Sequence, residues 1–424
     1  MPIQVVVGVN WGDEGKGRIV DYLSETSDIV VRYQGGNNAG HTIINEFGKF
    51  KLHLLPSGIF RSNVINVMGP GTVIDLEMLV KEIEDIEKAG IRVGDNYRIS
   101  DRATISFPFH RLLDAYEEER LGKKRFGSTK RGIAPAYGDR YLKKGIQIGE
   151  LLHPKYLKDR LTDVVAWENL LITRVYEKPP IKLENMMSWV ETYGNRVKKH
   201  ICDTNPLLEN AVQSKKNILF EAQLGALRDI YFGIYPFSTS SCCLSSFAQV
   251  GGGVFNYQNY SIIGVMKAYS TSVGEGPFVT ELKNAIGNRI REKGLEYGAA
   301  TGRPRRIGYF DAVASRYGVK LQSTTNIALT KLDVLSREKT LKICTHYKIG
   351  NDLTDEFPIN AELEGAKPIY EEWPGWTEDI SKIRSFGNLP KNAQKYVLRI
   401  EKLVGCPIRY ISVGPTRESI IIKK

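Results

Sequence analysis

The chain has 424 residues, 42% of them apolar and 25% charged, and no apolar run approaches the roughly 20 residues of a membrane span. Its five cysteines (Cys202, Cys242, Cys243, Cys344, Cys406) form no C-x-x-C pair, which excludes a disulfide framework and a zinc site and predicts reduced thiols in a cytoplasm. The net charge of +11 points to anionic partners; because the basic residues are scattered, with no aromatic-interleaved block, small phosphorylated substrates are expected rather than nucleic acid.

The opening, MPIQVVVGVN, has no basic n-region and enters a strand at once, so no signal peptide is predicted. Ile3 to Val7 read as a buried strand. Gly15 and Gly17 bracket Lys16, and Ile19, Val20, Tyr22 and Leu23 give the stripe of a helix that follows. DIVVRY (28–33) is a second strand and QGGNNAGHT (34–42) a loop. Phe50 to Leu55 flank the turn Asn45-Glu46-Phe47-Gly48 as a hairpin. A strand over Val64 to Met68 ends at Gly69-Pro70-Gly71, and Asp75 caps a helix that carries Leu76, Leu79, Val80, Ile83 and Ile86.

A helix-rich stretch follows over about 108–215, interrupted by the loop GSTKRGIAPAYGDR (127–140) and closing on a long helix, MMSWVETYGNRVKKHI (186–201). Strands return with NILFEA (217–222), SIIGVMKAY (261–269), NIALTKLDV (326–334), KTLKICTHYKI (339–349) and PIRYISV (407–413). Residues of about 354–390 read as a surface excursion, with Trp373 and Trp376 as packing anchors. The alternation predicts an α/β fold: a large, mostly parallel central sheet flanked by helices, with helical and small antiparallel excursions and ligand loops at the strand carboxyl ends. The length exceeds most single cores, so one elaborated domain over 1–424 or two to three intimate lobes are expected; no repeat or linker marks a boundary.

The P-loop-like strand–turn–helix at the N-terminus is a ready anion site, because free backbone N–H groups and the helix dipole converge on the turn. WGDEGKG (11–17) matches G-x-x-x-x-G-K-[ST] only in part. Asn10 stands at the first glycine, Gly17 at the hydroxyl, and Asp13-Glu14 lie inside the loop. A carboxylate there repels phosphate unless a metal lies between them or it does proton chemistry. The bland alternative is an ordinary turn with a solvated charge cluster. Lys16 is expected to supply a mobile cation for a terminal phosphate.

His41, among glycines and polar residues just past a strand end, is either a satisfied structural histidine or a catalytic one. Asn38 and Gly40 can supply amide and carbonyl contacts to a nucleotide or metal. TGRPRRIGYFD (301–311) places Arg303, Arg305 and Arg306 around Pro304: a solvated basic turn, or a mobile clamp for carboxylate or phosphate. Lys331-x-Asp333 at a strand end can recognise guanine, the carboxylate accepting from N1–H and the 2-amino group while the lysine stem covers the ring. SVGPTRE (412–418) and KAYSTSVGEGPF (267–278) are further strand-end loops suited to backbone contacts with a base or ribose.

Taken in order, WGDEGKG, VVRYQGGNNAGHT, LHLLPSGI, GSTKRGIAPAYGDR, YPFSTSS, KAYSTSVGEGPF, ATGRPRRIGYFDAV, TKLDVL and ISVGP resemble the motifs of the adenylosuccinate synthetase family, colinearly from residue 3 to about 418. The resemblance implies a cytoplasmic homodimer of AMP synthesis that uses GTP and Mg²⁺ to condense IMP with L-aspartate. It implies that Asp13 takes the N1 proton of IMP, so that the 6-oxygen attacks the γ-phosphate, and that Asp13 ligates Mg²⁺ with the backbone oxygen of Gly40. His41 would hydrogen-bond the transferring phosphoryl group as an acid. Gly12, Gly15, Lys16 and Gly17 would cradle the phosphates of GTP, with Arg305 beside them. Lys331, Asp333, Ser412 and Gly414 would recognise its guanine. Asn38, Thr129, Thr239, Val273 and Arg303 fall on IMP, and Thr301, Arg303 and Arg305 on aspartate.

Several positions depart from the family pattern. Leu224 stands where a glutamine usually contacts the hypoxanthine, with Gln223 one residue early. Consecutive strand residues face opposite ways, so Gln223 replaces it only if the backbone bulges. Lys143, or Arg140, stands for an arginine that reaches the IMP phosphate of a second subunit. Cys242-Cys243 and Ser272 replace the usual Asn-Thr and Arg. These changes lie on the IMP side and leave open a paralogue joining aspartate to another 6-oxopurine nucleotide, such as GMP or dGMP. A non-catalytic GTP-binding regulatory protein is a third reading, opposed by the presence of Asp13, His41 and Arg303.

Overall fold

The first apolar run forms β1 (Ile3–Gly8), and the glycine turn leads into α1 (Lys16–Leu23), whose Ile19, Val20 and Leu23 are buried against the sheet. β2 (Ile29–Arg32), the hairpin β3 (His41–Asn45) and β4 (Gly48–Leu52), and β5 (Ile65–Met68) follow. The side chain of Asp75 caps α2 (Leu76–Lys88) by accepting from the N–H of Met78 at 3.1 Å. The computed structural model describes residues 3–255, 257, 260–298 and 302–423.

Among the described residues, ten strands form one sheet in the order Ile420–Ile422, Ile408–Ser412, Asn326–Thr330, Ser261–Lys267, β1, Ile218–Glu221, β2, β5, Tyr97–Ser100, Ile201–Cys202. Every pairing is parallel except the antiparallel edge, where Tyr410 faces Ile422. Burial on both faces explains the near-continuous Val/Ile runs. β1 lies between two strands from far along the chain, with Val5 opposite Phe220 on one side and Ile262 on the other. The loops at the carboxyl ends of these strands therefore open on one edge of the sheet, which is where such folds bind ligands.

The helix-rich stretch holds α3 (Pro108–Leu121), α4 (Ile133–Tyr141) and α5 (Pro154–Leu170). The loop expected over 127–140 is helical from Ile133: Gly132 starts the helix from a left-handed conformation (φ 75°), and Pro135 sits in the first turn, where its missing N–H breaks no helical bond. The helix expected over 186–201 begins at Leu183, widens over Val190–Gly194, and gives way to the edge strand Ile201–Cys202. The loop at 34–42 closes at Gly40, because His41 and Thr42 already pair with Leu52 and Lys51.

Thr340–Ile349 does not join the central sheet. It pairs antiparallel with Lys367–Pro374, so the expected surface excursion contributes a strand to a second, four-stranded sheet. Its partial alternation of buried and open positions suits a sheet covered on one face. Trp376 is buried and Trp373 half-buried against the adjoining core, as packing anchors should be.

Candidate active site

The loop after β1 has three left-handed residues, Gly12 (φ 93°), Asp13 (φ 58°) and Gly15 (φ 97°). A non-glycine residue held there is strained, which is a mark of functional turns. Glu14 anchors the turn from behind. Its Oε1 accepts from the N–H groups of Asn10 (3.1 Å) and Gly12 (2.8 Å), and its Oε2 from Lys16 Nζ (2.7 Å). The carboxylate packs against the backbones of Gly8 and Gly225, where added Cβ atoms would lie 2.7 Å and 2.6 Å from its oxygens. Glu14 and Lys16 are each only 2% exposed, so the loop does not carry a solvated charge cluster, and Lys16 is fixed rather than mobile. Desolvation of both ions is offset by their pairing and the two backbone donors.

Asp13 faces outward. Its Oδ2 accepts from Arg305 Nε at 2.8 Å, and Arg305 Nη1 donates to Glu296 Oε2 at 2.7 Å. Glu296 is fully buried and also accepts from Lys267 Nζ (2.8 Å) and the hydroxyl of Tyr269 (2.5 Å). Burial by itself would raise the Asp13 carboxyl; the charges of Arg305, Lys267 and Lys16 outweigh it and hold its pKa below the usual value. Burial pulls the Lys267 ammonium down to about 8 against the opposing pull of Glu296.

His41 opens β3 and lies against the first turn of α1, where a Cβ on Gly17 would come 2.6 Å from the His41 Cβ. Its Nδ1 is 2.5 Å from Glu221 Oε1, and Glu221 is itself fixed by the N–H (2.7 Å) and hydroxyl (2.5 Å) of Ser57. Burial lowers the His41 pKa and Glu221 opposes it; the net value lies below the ordinary one, so the ring is neutral near pH 7. A carboxylate that holds Nδ1–H leaves Nε2 to face a ligand.

A cavity of about 770 Å³ is lined by ten of the residues singled out from sequence: Gly12, Asp13, Asn38, Gly40, Thr129, Leu224, Thr239, Val273, Arg303 and Arg305. Arg303 Nη2 donates to the carbonyl of Gly127 at 3.0 Å, tying the arginine loop to the loop that bears Thr129. Leu224 takes a left-handed conformation (φ 56°) in the cavity wall. Gln223 does not replace it there: it is fully buried behind the wall, donates to Asn38 Oδ1 at 2.6 Å and accepts from Arg32.

Other expected residues lie elsewhere. Gly15, Lys16, Gly17 and His41 do not line the cavity: Lys16, Gly17 and His41 are buried, and Gly15 is exposed at the start of α1. Lys331 and Asp333 follow Asn326–Thr330, and Ser412 ends its neighbouring strand and bonds the carbonyl of Gly414 at 3.2 Å. Arg18, in α1, joins these loops by donating to Ser412 Oγ and to the carbonyl of Thr416. Burial raises the Asp333 carboxyl, with Lys331 and Arg18 opposing. Thr330 Oγ1 donates to the carbonyl of Glu14 at 2.6 Å, so this second cluster adjoins the first loop. Lys143 is exposed at the end of α4 and does not line the cavity; Arg140 is bonded to the carbonyl of Pro70. Thr301 lies outside the described residues.

The donors fit Mg²⁺. Asp13 and Gly40 line the same cavity and offer hard oxygens, and Mg²⁺ is held by one or two carboxylates together with substrate phosphates. Among the described residues no group of three or more His, Cys, Asp or Glu is placed together to hold a metal ion.

Sequence reasoning missed Glu221, Lys267, Glu296, Arg18 and Arg228. A charged residue at the buried end of an apolar strand was the available signal for Glu221 and Lys267, which close ILFE and SIIGVMK. Nothing local marks Glu296, which the fold alone brings to Lys267 and Arg305.

A family description, adenylosuccinate synthetase, matches residues 5–421. Adenylosuccinate synthetases of Caldanaerobacter subterraneus subsp. tengcongensis and Alkaliphilus metalliredigens are 46% and 45% identical to the chain, each alignment covering 100% of this chain and 99% of the relative. The solved structure of fully ligated adenylosuccinate synthetase from Plasmodium falciparum superposes with a TM-score of 0.95 at 38% identity, covering 100% of both chains. A succinoaminodeoxyadenylate synthetase of cyanophage S-2L, bound to dGMP and dATP, shares the fold at a TM-score of 0.62 and 18% identity, covering 99% of this chain and 94% of that one.

Proposed function

The chain belongs to the adenylosuccinate synthetase family, GTP-dependent ligases that join IMP to L-aspartate in purine biosynthesis, and from that premise we propose the roles of its residues. The convergence of Asp13, Arg303 and Arg305 with Asn38, Thr129, Thr239 and Val273 on one cavity carries the reading.

The 6-oxygen of a hypoxanthine is a poor leaving group and must first be phosphorylated. Asp13, kept ionised by Arg305, removes the N1 proton; the 6-oxygen then attacks the γ-phosphorus of GTP and the bond to GDP breaks. Gly12, Gly15, Lys16 and Gly17 border the phosphates, and His41 Nε2 meets the transferring phosphoryl group. Such positioned donors stabilise the spread charge of the transition state. Bound Mg²⁺, held by the Asp13 carboxylate and the Gly40 carbonyl, supplies charge neutralisation on the phosphates. Thr301, Arg303 and Arg305 hold the carboxylates of L-aspartate, whose amine forms the new bond at C6 as inorganic phosphate leaves. Lys331, Asp333, Ser412 and Gly414 select guanine. Leu224 presents an apolar face to the purine, beside Gly12.

The functional unit is the full chain in the cytoplasm, acting as a homodimer. Tyr141 (64% exposed) and Leu142 (66%) at the end of α4 form an apolar face for a second copy, and Lys143 beside them reaches the phosphate of that copy's nucleotide. The deciding experiment crosses GTP and ATP against IMP, GMP and dGMP with aspartate and measures the succinyl-purine product. Product with GTP and IMP is expected; faster turnover of GMP or dGMP than of IMP overturns the assignment of the purine.

A further inference from the structure

Arg228 ends the short turn Ala226–Arg228 that follows the Leu224 kink. It borders the cavity and is 8% exposed. The hydrogen-bond acceptors around its guanidinium are neutral. Nη2 donates to Ser272 Oγ at 2.8 Å and to the carbonyl of Val273 at 2.6 Å; Nη1 donates to the carbonyls of Phe237 and Glu275. Arg306 takes the remaining carbonyls of the same turn, Gly274 at 3.4 Å and Gly276 at 2.7 Å, and is itself held by Glu281. Four successive carbonyls, from Val273 to Gly276, thus end on two guanidiniums. Gly274 (φ 85°) and Gly276 (φ 100°) supply the left-handed conformations of this turn.

The backbone of Arg228 adds a second tie, since its carbonyl accepts the N–H of Thr239 at 2.8 Å. One residue therefore joins three segments of the cavity wall: the Leu224 turn, the Phe237–Thr239 segment and the loop after Ser270–Ser272. Burying a cation among neutral acceptors is costly. Burial and the neighbouring charge of Arg306 lower the Arg228 pKa to about 10, with Asp13 opposing, so the guanidinium stays charged at neutral pH.

We propose that Arg228 is a positioning residue for the purine nucleotide, its buried fork fixing Val273 and Thr239, on two separate loops, at the spacing the nucleotide requires. The proposal rests on the assignment of Val273 and Thr239 to IMP made above. Both Nη atoms donate to protein acceptors, so the fork of Arg228 holds these loops. Because Ser272 Oγ is 2.8 Å from Nη2, a guanidinium carried by position 272 can occupy the same space.

Steady-state kinetics of the full chain test this. Arg228→Leu is expected to raise KM for IMP about tenfold, with kcat within about threefold and KM for GTP and aspartate within about twofold, the scale of a lost charge-assisted hydrogen bond. Arg228→Lys keeps the charge, loses the fork and shifts KM for IMP in the same direction. Arg228→Leu combined with Ser272→Arg recovers most of the lost affinity. Thr239→Val, measured in parallel, tests the underlying assignment. If Thr239→Val raises KM for IMP while Arg228→Leu and Arg228→Lys leave it unchanged, the positioning role is wrong and the assignment stands. If none of the three moves KM for IMP, the assignment of this wall to IMP fails. An equal rise in all three KM values also overturns the proposal, since that is general loosening.

Discussion

Arg305 donates to Asp13 Oδ2 at 2.8 Å across 292 positions of sequence, so the side chain proposed to hold a substrate carboxylate is bonded to the one proposed to take the proton. The same guanidinium is braced by Glu296, which is fully buried and also fixed by Lys267 and Tyr269. The proposed aspartate recognition and the proposed proton abstraction thus share one arginine with a rigid backing.

The backing can be tested alone. Glu296→Gln keeps the shape but removes the charge that orients Arg305. KM for aspartate should rise about tenfold, with a smaller fall in kcat, the scale of one weakened charge-assisted bond. Steady-state kinetics at fixed GTP and IMP measure it; an unchanged KM for aspartate would show that Arg305 is placed without Glu296.

Asp13→Asn should lower kcat by about 10³-fold, within the range of a lost general base, with the far-ultraviolet circular dichroism unchanged. Since neighbouring charges hold the Asp13 pKa below 3.8, the acid limb it sets in the wild-type rate profile should lie below that pH. Substantial turnover by Asp13→Asn removes the proton assignment.

Near pH 7 the His41 ring is neutral, burial having lowered its pKa below 6.5 against the pull of Glu221. An added phosphate charge at Nε2 favours the protonated ring, so its pKa should rise on nucleotide binding. Nitrogen NMR of His41 with and without a non-hydrolysable GTP analogue reads this directly. A ring that remains neutral at pH 7 with nucleotide bound contradicts a donor role at the phosphoryl group.

Much of the fold was legible because both periodicities were clean. β1, α1, β2, the hairpin turn and the Asp75 cap fall where the patterns place them. Gly12, Asp13, Asn38, Gly40 and Leu224 were legible as strand-end residues, since a parallel sheet gathers those loops on one edge, whereas Thr129, between α3 and α4, and Arg303 and Arg305, ahead of a strand, lie outside such loops. The behaviour of Lys16 was not, because its partner Glu14 reads locally as a solvated acid until Gly8 and Gly225 close around it. The helix from Ile133 was hidden by Gly132 and Pro135, which read as a loop unless the glycine is seen as the start of the helix. Thr340–Ile349 was identified as a strand, but no local signal tells which sheet a strand joins.

Glu82 gives the fold a pH dependence. It is buried and accepts from the N–H groups of His53 (2.8 Å) and Leu55 (2.7 Å), tying the segment after β4 to α2. Burial raises its pKa from 4.5 to about 7, against those backbone bonds. An acid raised in the folded state contributes stability that is full below 4.5 and is lost as pH rises through 7. Relative to Glu82→Gln, the wild type should lose up to about 3 kcal/mol across that window. Urea unfolding of both proteins at pH 5 and pH 7.5 checks it; parallel stabilities would show that Glu82 is ionised throughout.

In the proposed reaction the 6-oxygen of IMP attacks the γ-phosphate before aspartate displaces the resulting phosphate from C6. Turnover of IMP labelled with ¹⁸O at the 6-position, with GTP and L-aspartate, tests this by mass analysis of the phosphate released. One labelled oxygen is expected in the inorganic phosphate for each succinyl-purine formed, with no phosphate release when IMP is omitted. Unlabelled phosphate accompanying product, or GTP turnover that does not need IMP, would contradict it.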